Sequence, residues 1–152
     1  MTDSTTTPTN TAPNQLDTQL ETLEAEQALF EGRVQGLIAV ITPGERPPQG
    51  LAGQLDWRFQ GAISHCLQNG FLSARTGECA YLPLKRAGTT YHVLLIGSDS
   101  RGTVPLESIK ALKKNLASLK LPRLGLSRGD WNAATNEFFA KNLKGVGLCI
   151  LR

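Results

Sequence analysis

Two blocks of the chain are apolar without interruption: Leu37–Ile41 (LIAVI) and, after His92, the end of Tyr91–Ile96 (YHVLLI). Runs of this length and kind predict strands covered on both faces. Between them the spacing changes. Leu51, Leu55, Phe59, Ile63, Cys66 and Leu67 return every three or four positions, which predicts one helix over 51–67. Asp56, Arg58 and Gln60 fall on its other side, and Trp57 lies off the stripe, partly exposed. A Pro/Gly-rich turn over 44–50 leads into this helix and Asn69-Gly70 closes it. Glu78–Leu84 is a strand that Pro83 pushes towards a sheet edge, and Ala87-Gly88-Thr89 is a hairpin turn.

Past Ile96 the loop Gly97–Gly102 opens a second helix, with Thr103 as N-cap and Pro105 in the first turn. Leu106, Ile109, Leu112, Leu116 and Leu119 form its apolar stripe, and Pro122 ends it. Leu124–Leu126 is a short strand, Asp130 caps a last helix over Trp131–Asn142, and Val146–Leu151 is a final strand. The order β-α-β-β-α-β-α-β predicts an α/β domain over 33–152, a mixed and mainly parallel sheet with helices on both faces. Ahead of it, residues 1–14 are rich in Thr, Pro and Asn and are expected to be disordered. Residues 15–32 form an acidic amphipathic leader helix with Leu16, Leu20, Leu23 and Phe30 along one side. That narrow stripe must bury itself, either on the domain or against a second copy of the chain.

Charge sharpens this division. Residues 1–32 hold six acids and no Lys or Arg. All 16 basic residues lie in 33–152 against the other seven of the 13 acids, so that part is +9 and the leader is −6. The split suggests an anionic partner for the domain or a leader that folds back on it. Cys66, Cys79 and Cys149 have no metal-type spacing, and Cys66 and Cys149 sit in apolar runs as reduced thiols would. The chain has no secretory signal pattern and no apolar run near the roughly 20 residues that cross a bilayer. A cytoplasmic protein with no membrane contact is expected.

Candidate chemistry is thin. His65 and Cys66 are neighbours on a helix, about 100° apart, so they do not face each other as a catalytic pair would. No nucleophile triad, carboxylate pair, metal set or cofactor motif emerges from the spacing, and no enzymatic activity is expected. Lys110, Lys113 and Lys114 gather on one face of the second helix, with Lys120 one heptad beyond Lys113. Three ammonium groups this close repel one another, and a phosphate backbone would relieve them by counterion release. The loop Gly97, Ser98, Arg101 and Gly102 follows a strand and precedes a helix, where free amides attract phosphate. It is neither GxGxxG nor a P-loop, and Asp99 opposes an anion.

Gly50-Leu51, Leu55-Asp56, Gly61–Ser64, Gly70-Phe71, Gly77-Glu78 and Leu94–Gly97, in this order of elements, resemble the N-terminal domain of the leucyl aminopeptidase family. Its fold is similar to that of macro domains, a three-layer α/β sandwich. The likeness covers roughly residues 34–151. The family's catalytic domain, with its two metal ions and NTDAEGR stretch, has no counterpart here, so peptidase chemistry is not carried over. The resemblance implies a non-catalytic module for oligomer assembly or protein interaction. A sequence-tolerant nucleic-acid binder using the lysine helix is the alternative. A second alternative is an ADP-ribose or nucleotide binder of macro type, with a macro-type hydrolase still open.

Overall fold

The computed structural model describes residues 23–100, 102–103, 105–142 and 148–152. Its elements are α1 (Ala25–Phe30), β1 (Gly36–Ile41), α2 (Gly50–Arg58), α3 (Ala62–Gln68), β2 (Cys79–Arg86), β3 (Thr89–Gly97), α4 (Leu106–Leu119), β4 (Leu124–Ser127), a 3-10 turn (Arg128–Asp130), α5 (Ala133–Asn142) and β5 (Leu148–Leu151). The five strands form one sheet in the order β2-β3-β1-β4-β5. β1 is central and pairs in parallel with β3, Ile41 opposite Gly97, and with β4, Ile38 opposite Leu126. β5 extends the parallel set beside β4. β2 is antiparallel to β3 and forms the edge that carries Pro83. Ala87 and Gly88 both have positive φ (52° and 83°), as a tight two-residue hairpin requires.

The pleat of β1 divides the core. Leu37, Ala39 and Ile41 pack with α1, α2 and α3 on one face. Ile38 and Val40 pack with α4 and α5 on the other. Alternate residues of a fully buried strand serve opposite layers, which is why LIAVI has no polar member. The result is the expected three-layer sandwich, mainly parallel, with helices on both faces.

Three local expectations are corrected. The helix foreseen over 51–67 is two, α2 and α3, because Gln60 (φ 58°) and Gly61 (φ 80°) turn left-handed between them. The apolar spacing runs through the break because both helices rest on the same face of the sheet. Asp56 does not point outwards. It is 8% exposed, and its carboxylate accepts the amide of Ser64 at 2.8 Å and the Ser64 hydroxyl at 2.6 Å, so it caps α3 from the preceding helix. Thr103 is not the cap of α4. Pro105 holds that position, and the Thr103 hydroxyl donates to Ser100 O at 3.0 Å.

The described part of the leader lies against the domain. Ala25, Ala28 and Leu29 are buried in the core, and Leu23 and Phe30 pack at its margin. The Phe30 ring meets Tyr91 edge-on at 5.1 Å and lies 5.9 Å from Phe59, with the Arg86 guanidinium 5.0 Å from its centre. Arg58 Nε donates to Glu26 Oε2 at 2.7 Å, tying α2 to α1. Leu16 and Leu20 lie outside the described residues.

Candidate functional site

β1, β3, β4 and β5 are parallel, so their carboxyl ends share one edge of the sheet. There the chain leaves β1 for α2 on one face, while β3 and β4 lead to α4 and α5 on the other. Connections that part in this way leave a crevice above the strand ends, where ligands of open α/β sheets bind.

The crevice loops are tied to one another. Ser98 N donates to Ile41 O at 3.1 Å, and Asn132 N donates to Gly102 O at 2.9 Å, joining the β3 and β4 loops. Leu51 N, in the first turn of α2, donates to Asp130 Oδ1 at 3.1 Å, across 79 positions of sequence. Asp130 is therefore not the cap of the last helix, as the sequence suggests. Asn132 takes that role, its side-chain oxygen receiving Thr135 N at 2.8 Å. Trp131 is buried, and its ring meets Phe139 edge-on at 5.0 Å.

Buried polar side-chain atoms normally find partners. Among the described residues, Thr42 Oγ1, Trp131 Nε1 and Asn136 Oδ1 do not. Thr42 directly follows β1, Trp131 follows the 3-10 turn after β4, and Asn136 stands in the first turns of α5. All three belong to this end of the sheet. Gln35 Oε1, at the opposite end of β1, is likewise without a partner. Beside the loops, a pocket of about 290 Å³ opens between the first turns of α4 and α5, lined by Thr103, Leu106, Ala134, Thr135 and Phe138.

The phosphate loop drawn from sequence is differently employed. Gly97 is the last residue of β3, its carbonyl accepting the buried Ser108 hydroxyl at 3.0 Å. The Ser98 hydroxyl is turned onto Ser100 O and Thr103 O at 2.9 and 3.1 Å, fastening its own loop. Asp99 accepts the Thr76 hydroxyl at 2.8 Å. Gly102 has positive φ (96°), and Arg101 lies outside the described residues. On α4, Lys110, Lys113 and Lys114 are exposed. Lys120 is the left-handed residue that ends the helix (φ 52°), off the regular lysine face.

No group of three or more His, Cys, Asp or Glu able to hold a metal occurs among the described residues, and none of the described helices is long and apolar enough to cross a membrane. Burial pushes the Cys79 and Cys66 thiols up, which keeps them protonated and weakly nucleophilic. Sequence reasoning did not single out Thr42, Asp130 and Asn136 as candidates at this end of the sheet. The one available signal was that Thr42 and Asp130 stand just beyond apolar strands, in loops that an α/β order brings together, with Asn136 in the helix that follows.

The fold is that of a macro-like α/β domain. The chain is similar to the macrodomain of Mycobacterium tuberculosis DarG, with a TM-score of 0.55 and 14% identity over 78% of this chain and 88% of that one. It is similar also to the macrodomain of Thermus aquaticus DarG, with a TM-score of 0.56 and 13% identity over 81% and 91%. No protein-family model and no curated protein sequence matches the chain. The macro-like half of the family expectation is thus met in the fold, while the likeness to the aminopeptidase domain stays one of pattern.

Proposed function

We propose that the protein is a binding module of macro type, taking a nucleoside-containing ligand, the class to which ADP-ribose belongs, in the crevice at the carboxyl ends of β1, β3 and β4. The observation that carries this reading is the set of buried polar atoms without partners at that end, Thr42 Oγ1, Trp131 Nε1 and Asn136 Oδ1. Each is a cost to the empty protein that a hydroxyl-rich ligand would remove. The pocket between α4 and α5 adds an apolar-lined recess beside them. The macro-like fold shared with the two DarG macrodomains supports a ligand of this class.

Thermal shift and calorimetry with adenosine and ADP-ribose test it. Saturating ligand should raise stability by about 2.7 kcal/mol at a hundredfold excess over Kd. Thr42→Val is the diagnostic variant. It removes a hydroxyl that has no partner in the empty protein. The empty variant should be unchanged or up to about 1 kcal/mol more stable, while ligand affinity falls about tenfold. Equal affinity for both proteins would remove Thr42 from the site, and no binding by either would end the crevice reading.

A second reading has its own support. Lys110, Lys113 and Lys114 are exposed on one helix, and none has an ion pair among the described residues. We infer a sequence-tolerant nucleic-acid contact there. Changing all three to alanine should flatten the dependence of log affinity on log salt by roughly 3 in slope, at about 0.9 per phosphate on duplex DNA. Absence of binding by the unmodified protein at low salt leaves the lysines a solvated face. The assembly role implied by the aminopeptidase resemblance rests on two aromatic side chains, Trp57 at 82% and Phe71 at 62% exposure, and takes third place.

A further inference from the structure

The sheet face beneath α4 is covered only in part. Cys79, Tyr81, Pro83 and Lys85 alternate along β2 and so stand on one side of it, the side on which α4 lies. Asn115 Nδ2 donates to Cys79 O at 3.0 Å, which fixes the helix beside the start of the strand. Further along, Tyr81 packs at the margin of the core, and Pro83 and Lys85 are exposed. His92, opposite Pro83 on β3, is half-buried beside Tyr81. Their rings lie 15° from parallel with centres 5.8 Å apart, and the Tyr81 hydroxyl is 2.6 Å from His92 Nδ1. The bond joins the edge of one ring to the edge of the other, so the two form a fixed aromatic pair at the border of the uncovered face. Cations stand to either side. Lys85 lies beyond the pair on β2, and Lys110, Lys113 and Lys114 line the exposed side of α4. None of the four has an ion pair among the described residues.

We propose that the nucleic acid met by the lysines of α4 is single-stranded, with an unpaired base stacked on the Tyr81–His92 pair and phosphates held between α4 and Lys85. A duplex keeps its bases stacked on one another and offers this face only phosphates, whereas a single strand offers both. Charge alone would favour the duplex, which carries its phosphates more densely. Because the hydroxyl already holds the two rings together, little side-chain freedom is lost when a base settles on them. Stacking of this kind tolerates any base, in keeping with a chain that has no base-reading motif. The inference deepens the nucleic-acid reading of α4, rests on it, and is independent of the crevice.

The experiment is fluorescence anisotropy with a labelled 15-nucleotide strand of mixed sequence, alone and as a duplex, across a salt series, with circular dichroism to confirm folding. The unmodified protein should bind the single strand at least fivefold more tightly than the duplex. Tyr81→Leu should lose about tenfold on the single strand, keep its salt slope, and change less than twofold on the duplex. Tyr81→Phe keeps the ring and should stay within about threefold of the unmodified protein. Lys85→Ala, an exposed change, should flatten the salt dependence on the single strand by about 0.7 in slope. If Tyr81→Leu does not fold, the ranking of strand over duplex and the Lys85→Ala slope decide. Should the duplex bind as tightly as the single strand, or Tyr81→Leu bind it undiminished, the aromatic pair takes no base and the lysine reading of α4 stands alone. If neither nucleic acid binds at low salt, that reading fails and this inference goes with it.

Discussion

Gly97→Ala is expected to lose about 4 kcal/mol or more of stability, enough to leave many domains of this size unfolded. The cause is space, because the backbone here is ordinary extended strand. A methyl on Gly97 would lie 2.1 Å from the Arg75 carbonyl oxygen and 2.8 Å from the Ala74 carbonyl carbon. Overpacking costs about 1–3 kcal/mol where side chains can move aside, but these neighbours are backbone and have nowhere to go. The Glu78 carboxylate accepts the amides of Ser73 and Ala74, the closest at 2.7 Å, and Glu78 N donates to Arg75 O at 3.0 Å. Ala74 is already held at a positive φ of 64°. On the other side, Gly97 N donates to Glu78 O and its carbonyl holds Ser108. Urea denaturation checks the figure, and a loss below about 1 kcal/mol would mean that the 73–78 turn yields where the packing says it does not.

Phe139→Ala carries a comparable cost, about 3–5 kcal/mol, the usual loss when a fully buried aromatic is cut back in a core. Its consequence reaches the crevice. Phe139 is the ring against which Trp131 stands edge-on, and Trp131 follows the turn that carries Asp130. The chain has two tryptophans, Trp57 at 82% exposure and Trp131 at 5%, so the blue part of the emission belongs to Trp131. In Phe139→Ala that component should shift to the red at temperatures where circular dichroism still reports a folded chain. A variant equally unstable with unchanged emission would show that Trp131 keeps its place without Phe139.

The frame of the molecule is legible in the sequence for a physical reason. LIAVI and the VLLI of Val93–Ile96 lie side by side at the centre of the sheet, and strands buried on both faces can carry no polar residue there. The leucine stripe of α4 and the Ala87-Gly88 turn are equally direct, since helix period and left-handed backbone each demand particular residues. The break at Gln60-Gly61 is not legible, because two helices on one sheet face preserve the apolar spacing that a single helix would have. Asp130 shows the sharper limit. A carboxylate just before a helix pattern looks like a cap, and only the fold brings it to Leu51, in another layer. Thr42 has no signal of its own. Its buried hydroxyl becomes informative only once the surroundings that fail to satisfy it are known.

The place of β1 bears on how the chain comes to be folded. It is the middle strand of the sheet and, among the described strands, the first to be synthesised, yet its partners β3 and β4 begin at Thr89 and Leu124. At about 5–20 residues per second, the interval of roughly 50 residues before β3 begins to emerge lasts about 2–10 seconds. Throughout that time a six-residue apolar strand has two open edges and no sheet to join. The pairings between consecutive strands, β2 with β3 and β4 with β5, form without it. Folding therefore waits on contacts distant in sequence, and the nascent chain passes through a stage in which its future centre is its most adhesive surface.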